Sequence, residues 1–487
     1  MTLGELFGHD AKLPDSLRRL PISGLAADSR EVKPGYLFAA LPGVNTDGAR
    51  FIADALQRGA AAILVPEGAK PQAGSAAIIE DSDPRRRLAL IAARFFGAQP
   101  DVAVAVTGTN GKTSVASFVR QLWSGEGLKA ASLGTVGLVS PSGIKTLAHT
   151  TPDPIELHRI LAALAKEGVT HLAFEASSHG LQQRRLDGIR LVAGAFTNIS
   201  RDHLDYHPSF DDYFAQKLRL FTELLPPQRA TAVIDVDTEP GRGIAAVADA
   251  RGLDLVTVGW SGTTLRLLSA ERDGFSQVLT IEHDGNAHQV RLPLVGAFQA
   301  SNALVAAGLV MATGASAATV LPALQSLRGA RGRLDLAGTG RGGAPVFIDY
   351  AHTPDALAKA LDALRPYVER RLVVVFGCGG DRDKGKRPEM GKVAVAKADR
   401  AIVTDDNPRS ENPAEIRRQI LAAAPGADEI GDRATAIAEA ISGLERGDVL
   451  LVAGKGHETG QTVGTKVIPF SDHDAVAAAL KQEATCG

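Results

Sequence analysis

Short apolar, β-branched runs recur along this chain and alternate with segments whose apolar residues return every three to four positions. The first habit predicts buried strands and the second predicts amphipathic helices. In a first block, 1–97, the pattern predicts strands over 36–40, 61–64 and 76–79 and helices over 48–58 and 85–96. The glycine and prolines around 97–100 then read as a linker. A second block, 98–328, opens with Val102, Val104 and Val106 in strand alternation, and continues with Val115, Phe118, Val119 and Leu122 at helical spacing. Further strands are predicted over 170–175, 193–198, 231–235 and 255–258, with helices over 155–166, 210–225 and 300–312. Strict alternation over 263–293 predicts an antiparallel hairpin insert. A third block, 329–487, restarts the βα rhythm with strands over 345–349, 372–376, 400–404 and 449–453.

Alternating strands and helices predict an α/β protein of three domains. These are a small α/β N-terminal domain, a central doubly wound parallel sheet, and a C-terminal Rossmann-like domain. The length of 487 residues agrees with three units at about 150 residues each. A formal net charge of −2 offers no electrostatic attraction to nucleic acid or an anionic membrane, so neither is expected as a partner. Two cysteines, Cys378 and Cys486, suit a reducing compartment. The N-terminus, MTLGELFGHDAKLPDSL, is not a signal peptide, and no apolar run approaches the ~20 residues that span a bilayer. The expectation is a soluble, cytoplasmic monomer acting on small molecules.

Chemistry concentrates where the central block begins. VAVAVTGTNGKTSVASFV, residues 102–119, is a strand, a glycine loop and a helix start. Backbone N–H groups in such a loop and the positive end of the helix dipole face an anion. Gly108, Thr109, Asn110, Gly111, Lys112, Thr113 and Ser114 therefore read as an ATP site. Lys112 reaches the terminal phosphates, and Thr113 or Ser114 ligates Mg²⁺. Val106 stands where the standard GxxxxGK[ST] pattern has its first glycine, so the loop is a shorter form, TGTNGKT. In the third block the dinucleotide fingerprint GxGxxG is absent, and GCGGDRDKGK at 377–386 is too charged to replace it; no dinucleotide cofactor is expected.

Other polar clusters fall at predicted strand ends, where α/β sheets hold ligands. Glu175 closes THLAFE and reads as a Mg²⁺ ligand. In TNISRDHLDYH, 197–207, the spacing of His203, Asp205 and His207 suggests a metal site, although Mg²⁺ prefers oxygen ligands.

Seven motifs in order then carry a resemblance: TGTNGKTS, TTPDP (150–154), EASSHGL (175–181), TNISRDHLDYH, DYAHTPD (349–355), DDNPR (405–409) and GKGHE (454–458). Together they resemble the Mur ligase family, whose members add amino acids to the UDP-muramoyl precursor of peptidoglycan. DDNPR and GKGHE resemble its diaminopimelate-adding branch. The resemblance implies three domains: 1–97 holding the UDP end, 98–328 holding ATP, and 329–487 holding the amino acid. It implies an ATP-dependent amide ligase that activates a carboxylate of UDP-N-acetylmuramoyl-L-alanyl-D-glutamate as an acyl phosphate, then joins it to meso-2,6-diaminopimelate.

By the same resemblance, Ala27, Ser29 and the loop Val44, Asn45, Thr46 contact the UDP end. Thr150, Thr151, Ser177, Gln183 and Arg185 contact the muramoyl-dipeptide. Asn302, Arg333 and Asp349 resemble contacts on the adenine and ribose side, with Gln299 departing from the family's usual Asn. Arg382, Asp406, Asn407, Pro408, Arg409, Gly454 and Glu458 resemble diaminopimelate contacts. Lys112, Glu175, His203 and Lys217 carry the catalytic expectation. Lys217, in DDYFAQKLRLF, resembles a lysine carried as an N-carbamate, an anionic group able to ligate Mg²⁺. The alternatives are a lysine-adding ligase of the same branch, a folylpolyglutamate synthetase sharing TGTNGKT, and a P-loop switch whose turnover ignores amino acids.

Overall fold

The β-branched runs form strands because buried parallel sheets accept apolar residues on both faces. The computed structural model describes residues 1–8, 13–43, 47–69, 74, 76–200 and 206–486. They fall into two compact units, one of 1–267 with 282–286 and 301–321, the other of 268–281, 287–300 and 322–487.

The first unit holds two sheets. The smaller is parallel, in the order Gly24–Ala26, Tyr36–Ala39, Ala62–Pro66, Ala77–Asp81. The helix Pro84–Phe96 buries Leu88, Ile91 and Ala92 in the same core as Leu37, Leu64 and Ile79. Asp83 caps it, accepting from Arg86 N, and Pro84 occupies the first turn where no N–H is needed. In the larger sheet the parallel order is Asp254–Gly259, Thr231–Asp235, Leu191–Phe196, Val102–Thr107, His171–Glu175, Ala130–Gly134. Gly137–Ser140 and Gly143–Lys145 extend it antiparallel. The chain leaves Val102–Thr107 toward one side of the sheet and later returns on the other at Leu191–Phe196. A switch in winding direction therefore lies at the carboxyl end of Val102–Thr107, where α/β sheets open a crevice.

In the second unit six strands run in the order Asp335–Thr339, Pro345–Asp349, Val449–Ala453, Leu372–Phe376, Arg400–Val403, Asp428–Glu429. Only the first pair is antiparallel. A two-stranded hairpin, Gly460–Val463 with Lys466–Pro469, follows. Beneath it, the wholly buried Arg433 pairs with Asp472, Nε to Oδ1 at 2.7 Å and Nη2 to Oδ2 at 2.8 Å, while Nη2 also donates to Ala453 O at 2.9 Å. This pair fastens the last helix, Asp472–Cys486, to the strand that leads into GKGHE.

Three expectations change in detail. The helix predicted over 210–225 is α-helical as Phe210–Arg219 and then widens to a π-turn, Leu220–Leu224. The region 263–293 contains three strands, Leu265–Asp273, Ser276–His283 and Asn286–Leu292, where one hairpin was expected. The helix predicted over 48–58 begins as a tighter 3₁₀ turn, Gly48–Phe51. Among the described residues, no helix is long and apolar enough to cross a membrane.

Candidate active site

The first cluster grows from the switch in the larger sheet. Val102–Thr107 ends in the glycine loop, and the helix Lys112–Gly125 starts directly after it. Gly108 and Gly111 have φ of +147° and +87°. A Cβ on Gly108 would overlap Thr197 Oγ1, and one on Gly111 would overlap Asn302 Oδ1. Glycine is required at both positions by conformation and by space. The neighbouring strand end braces the loop: Thr109 N donates to Asn198 O at 2.8 Å, Asn110 N to Asn198 Oδ1 at 3.0 Å, and Thr197 Oγ1 to Asn110 O at 2.6 Å.

Two lysines converge on this loop. Lys112 Nζ donates to the carbonyls of Gly108 and Thr109, both at 2.8 Å. Lys217 Nζ donates to the same Gly108 carbonyl at 2.7 Å and lies 4.5 Å from the Tyr213 ring centroid. Lys217 is buried, because Phe210–Arg219 turns that face of the helix toward the sheet. Tyr213 also reaches Thr109, hydroxyl to hydroxyl, at 2.9 Å. Thr113 and Ser114 occupy the first helical turn, Thr113 half-buried and Ser114 buried. With the lysines they form a cationic, N–H-rich cradle that can hold a polyphosphate.

Glu175 ends the adjacent strand and is 1% exposed. Thr135 orients it, N to Oε1 at 2.7 Å and Oγ1 to Oε2 at 3.1 Å. The carboxylate keeps lone pairs beyond these two bonds, so it suits a hard cation. The buried Thr151 hydroxyl lies 2.9 Å from Glu175 O and 3.0 Å from Ser177 Oγ, and Thr150 Oγ1 is 3.2 Å from Thr135 Oγ1. Arg185 donates to Thr151 O, and through Nη2 to Gln183 Oε1 at 2.7 Å. Gln183 Nε2 in turn donates to Tyr206 Oη at 3.0 Å. Thr150, Thr151, Ser177, Gln183 and Arg185 thus form one continuous network beside Glu175. Burial lowers the pKa of Arg185 from its usual value, against the opposing pull of Asp153.

His207 is buried and has two protein partners. Its Nδ1 donates to Asp212 Oδ2 at 2.8 Å, and its Nε2 lies 3.0 Å from Ser178 Oγ. His207 thus joins the helix bearing Lys217 to the turn after Glu175. His203 and Asp205 lie outside the described residues, as do Val44, Asn45 and Thr46. Among the described residues no group of three or more His, Cys, Asp and Glu side chains is placed to hold a metal ion. In the smaller sheet's loops Ser29 is buried and Ala27 exposed, and Asp28 pairs with Arg30 at 2.6 Å.

The second cluster lies at the carboxyl ends of the second unit's strands. Asp349 accepts from Leu334 N at 2.7 Å and Ala351 N at 2.8 Å. Burial raises its pKa, opposed by Arg333 and by those two N–H groups. Arg333 lies 5.1 Å from the Tyr350 ring centroid, and the His457 ring packs 5.0 Å away from the same tyrosine. Burial lowers the His457 pKa to about 4.

The loop after Arg400–Val403 carries Asp406, Asn407, Pro408 and Arg409. Arg409 is half-buried with φ +51°, its backbone held by the hairpin: Arg409 N donates to Thr462 O at 3.0 Å and Gly464 N to Arg409 O at 2.7 Å. Its Nη1 donates to Gly380 O at 2.8 Å. Among the described residues nothing accepts from Nε or Nη2, which leaves a two-donor edge. Asn407 Nδ2 donates to Glu458 Oε2 at 2.8 Å, and Asp406 Oδ1 accepts from Asn407 N at 2.6 Å. Gly454, φ +117°, passes close to Asp406 Oδ2. Arg382 is exposed, with Nη1 3.3 Å from Asp381 O.

Several functional side chains escaped the sequence reading. Tyr213, Asn198 and Thr135 brace the loop and Glu175, and only the fold brings them there. Lys455, wholly buried inside GKGHE, carried a signal, because a lysine between two glycines at a strand end is an unusual place for a solvated charge.

Comparison with known proteins places these clusters in context. The chain matches the Mur ligase family catalytic domain over 21–96, the Mur ligase middle domain over 106–310, and the Mur ligase glutamate ligase domain over 332–456. It is 58% identical over 487 residues to the UDP-N-acetylmuramoyl-L-alanyl-D-glutamate–2,6-diaminopimelate ligase of Bradyrhizobium diazoefficiens, covering 99% of each chain. It is 53% identical over 480 residues to the enzyme of the same name from Brucella melitensis, covering 99% of this chain and 98% of that one. A solved structure of a UDP-N-acetylmuramoyl-L-alanyl-D-glutamate–2,6-diaminopimelate ligase superposes with a TM-score of 0.73 at 30% identity, covering 99% of both chains. With matches of this extent, and with its glycine-loop and strand-end clusters, the chain belongs to the Mur ligase family.

Proposed function

We propose that this protein is an ATP-dependent amide ligase that joins meso-2,6-diaminopimelate to UDP-N-acetylmuramoyl-L-alanyl-D-glutamate in the cytoplasm, during peptidoglycan precursor synthesis. The observation that carries the reading is the open Nε/Nη2 edge of Arg409, two residues along the chain from Asn407, which holds the carboxylate of Glu458. A guanidinium edge and a carboxylate, both in loops at the carboxyl ends of this sheet's strands, complement the distal carboxylate and ammonium of diaminopimelate. Lysine has no such carboxylate.

The remaining assignments rest on the family resemblance, with the two clusters as support. Domains 1–97, 98–328 and 329–487 take the UDP end, ATP and the amino acid respectively. Ala27, Ser29, Val44, Asn45 and Thr46 are assigned to the uridine nucleotide by the family resemblance. The Thr150–Arg185 network holds the dipeptide, with Arg185 directed at its carboxylate. Gly108–Ser114 cradle the triphosphate, while Asn302, Arg333 and Asp349 serve the adenine and ribose side. Mg²⁺ would be held by oxygen ligands from Thr113, Ser114 and Glu175, with His203 and a carbamylated Lys217 assigned to the same ion by the family resemblance. When bound, it neutralises phosphate charge and brings two anions together.

The chain's own residues supply positioning and charge. Lys112 moves from the Gly108 and Thr109 carbonyls to the terminal phosphate oxygens. There it offsets charge as the substrate carboxylate attacks phosphorus and ADP leaves, forming an acyl phosphate. Diaminopimelate, held at its distal end by Arg409 and Glu458, then attacks the acyl carbon through its other amine, in neutral form, which gives up a proton as the amide forms. Phosphate departs from the tetrahedral intermediate.

Phosphate release, measured with the UDP-dipeptide and a panel of amino acids, tests the whole reading. Strict dependence on both substrates with diaminopimelate preferred is expected. Preference for lysine moves the protein to the sister branch, and release that ignores amino acids removes the ligase assignment.

A further inference from the structure

Lys455 is wholly buried, yet every donor of its ammonium is used. Nζ donates to Gly460 O at 2.7 Å, Glu458 Oε2 at 2.9 Å and Asn407 Oδ1 at 3.1 Å. These acceptors come from three segments: the loop after Arg400–Val403, the GKGHE loop, and the hairpin that holds Arg409. Asn407 closes the ring by donating its Nδ2 to the same Glu458 Oε2 at 2.8 Å, and accepts from Thr462 N at 2.9 Å. Glu458 Oε2 therefore receives two donors, whereas Oε1 has no protein partner among the described residues.

Burying an ammonium is costly unless its partners are complete. Here they are complete, and the result is a carboxylate fixed in one orientation. We propose that Lys455 is a positioning residue for the amino-acid substrate: it holds Glu458 so that Oε1 faces the substrate ammonium. It also ties the hairpin, and with it the Arg409 backbone, to the same frame. The assignment rests on the proposed function, since it names what the Lys455–Asn407–Glu458 ring does for the amine. Lys455 touches neither substrate nor reacting atoms; it acts through Glu458.

The test is a steady-state cycle on the full-length protein with three variants: Lys455→Met, Glu458→Gln and the double variant. Lys455→Met should raise KM for diaminopimelate at least ~10-fold while leaving KM for ATP and for the UDP-dipeptide within ~2-fold. The double variant should be no worse than Glu458→Gln alone, because residues that act through one another do not add. Lys455→Arg, which keeps the charge, should recover part of the loss. Unchanged KM for diaminopimelate in folded Lys455→Met, equal rises in all three KM values, or additive effects in the double variant would each overturn the proposal. If Lys455→Met does not fold, the double variant, which removes both charges, carries the comparison with Glu458→Gln. Failure of every variant to fold assigns Lys455 to the fold alone and likewise overturns it. The unmodified protein is assayed in parallel with lysine: if it uses lysine, the diaminopimelate reading fails, while the KM shift for lysine still tests Lys455.

Discussion

Arg409→Ala isolates the choice between diaminopimelate and lysine. The residue sits at φ +51°, and alanine meets the same backbone requirement, so the variant changes the side chain without relieving left-handed strain. What is lost is the Nε/Nη2 edge, since Nη1 is already spent on Gly380 O at 2.8 Å. A hydrogen bond to a charged group contributes about 1.5–3 kcal/mol net. The half-buried position of Arg409 puts its bidentate pair near the upper part of that range, about 2–3 kcal/mol, not at the sum of two such bonds. At 1.4 kcal/mol per factor of ten, kcat/KM for diaminopimelate should fall roughly 30- to 150-fold. Lysine never engages that edge, so its kcat/KM should hold or rise, and the diaminopimelate-to-lysine ratio should fall by about two orders of magnitude. Arg409→Lys keeps a charge and loses the fork, so it should fall between the two. The assay is phosphate release under saturating ATP and UDP-dipeptide, with thermal melts confirming the fold. An unchanged ratio in a folded Arg409→Ala protein would refute the reasoning.

Other perturbations reach different parts of the molecule. Lys112→Ala should lower kcat/KM for ATP by roughly 10²–10³-fold, as loss of one transition-state donor does; calorimetric titration of the UDP-dipeptide should be unaffected, and near-normal turnover sinks the P-loop assignment. Gly111→Ala would force a Cβ into Asn302 at φ +87°, so nucleotide affinity should drop at least ~10-fold by equilibrium binding. Lys217→Ala should be nearly inactive and partly rescued by short carboxylic acids, and an intact-mass spectrum of the unmodified protein should show one added CO₂; full activity in CO₂-depleted buffer with a free amine argues against the carbamate. His158 and His457 both have pKa values lowered to about 4 by burial. The unfolded chain, with histidine near 6.5, binds their protons first, so stability is full above pH ~6.5 and is lost as pH falls from there toward 4. Urea titrations across that window should show the fall, and His158→Leu should flatten it; a slope unchanged by that substitution assigns the acid sensitivity to other groups.

What the sequence makes legible is whatever a short local pattern determines. The glycine loop is one case, because left-handed backbone at Gly108 and Gly111, a strand before and a helix after are all properties of consecutive residues. The parallel strands of both large sheets are another, since continuous apolar runs bounded by polar strand ends need no knowledge of partners. Illegible features are those settled by contacts across the sheet. Nothing near His207 announces that its two ring nitrogens are taken by Ser178 and Asp212, 29 and 5 residues away. The spacing in HLDYH suggests metal ligation as readily, and only the tertiary fold shows what His207 touches. The same holds for the π-turn after Arg219: the helical period anticipates the i,i+4 pair of Arg219 Nη2 with Glu223 at 3.0 Å, but not the pull of Asp187 at 3.3 Å, 32 residues away. Lys455 marks the boundary between the two classes. Its motif was visible, but its burial and its Glu458 and Asn407 partners required the sheet to bring residues 48 positions apart within 3.1 Å. A charged residue inside a recognisable motif therefore warrants the question of what it would have to touch if it were buried, since here the answer joins the loop of Asn407 and Arg409 to the GKGHE loop.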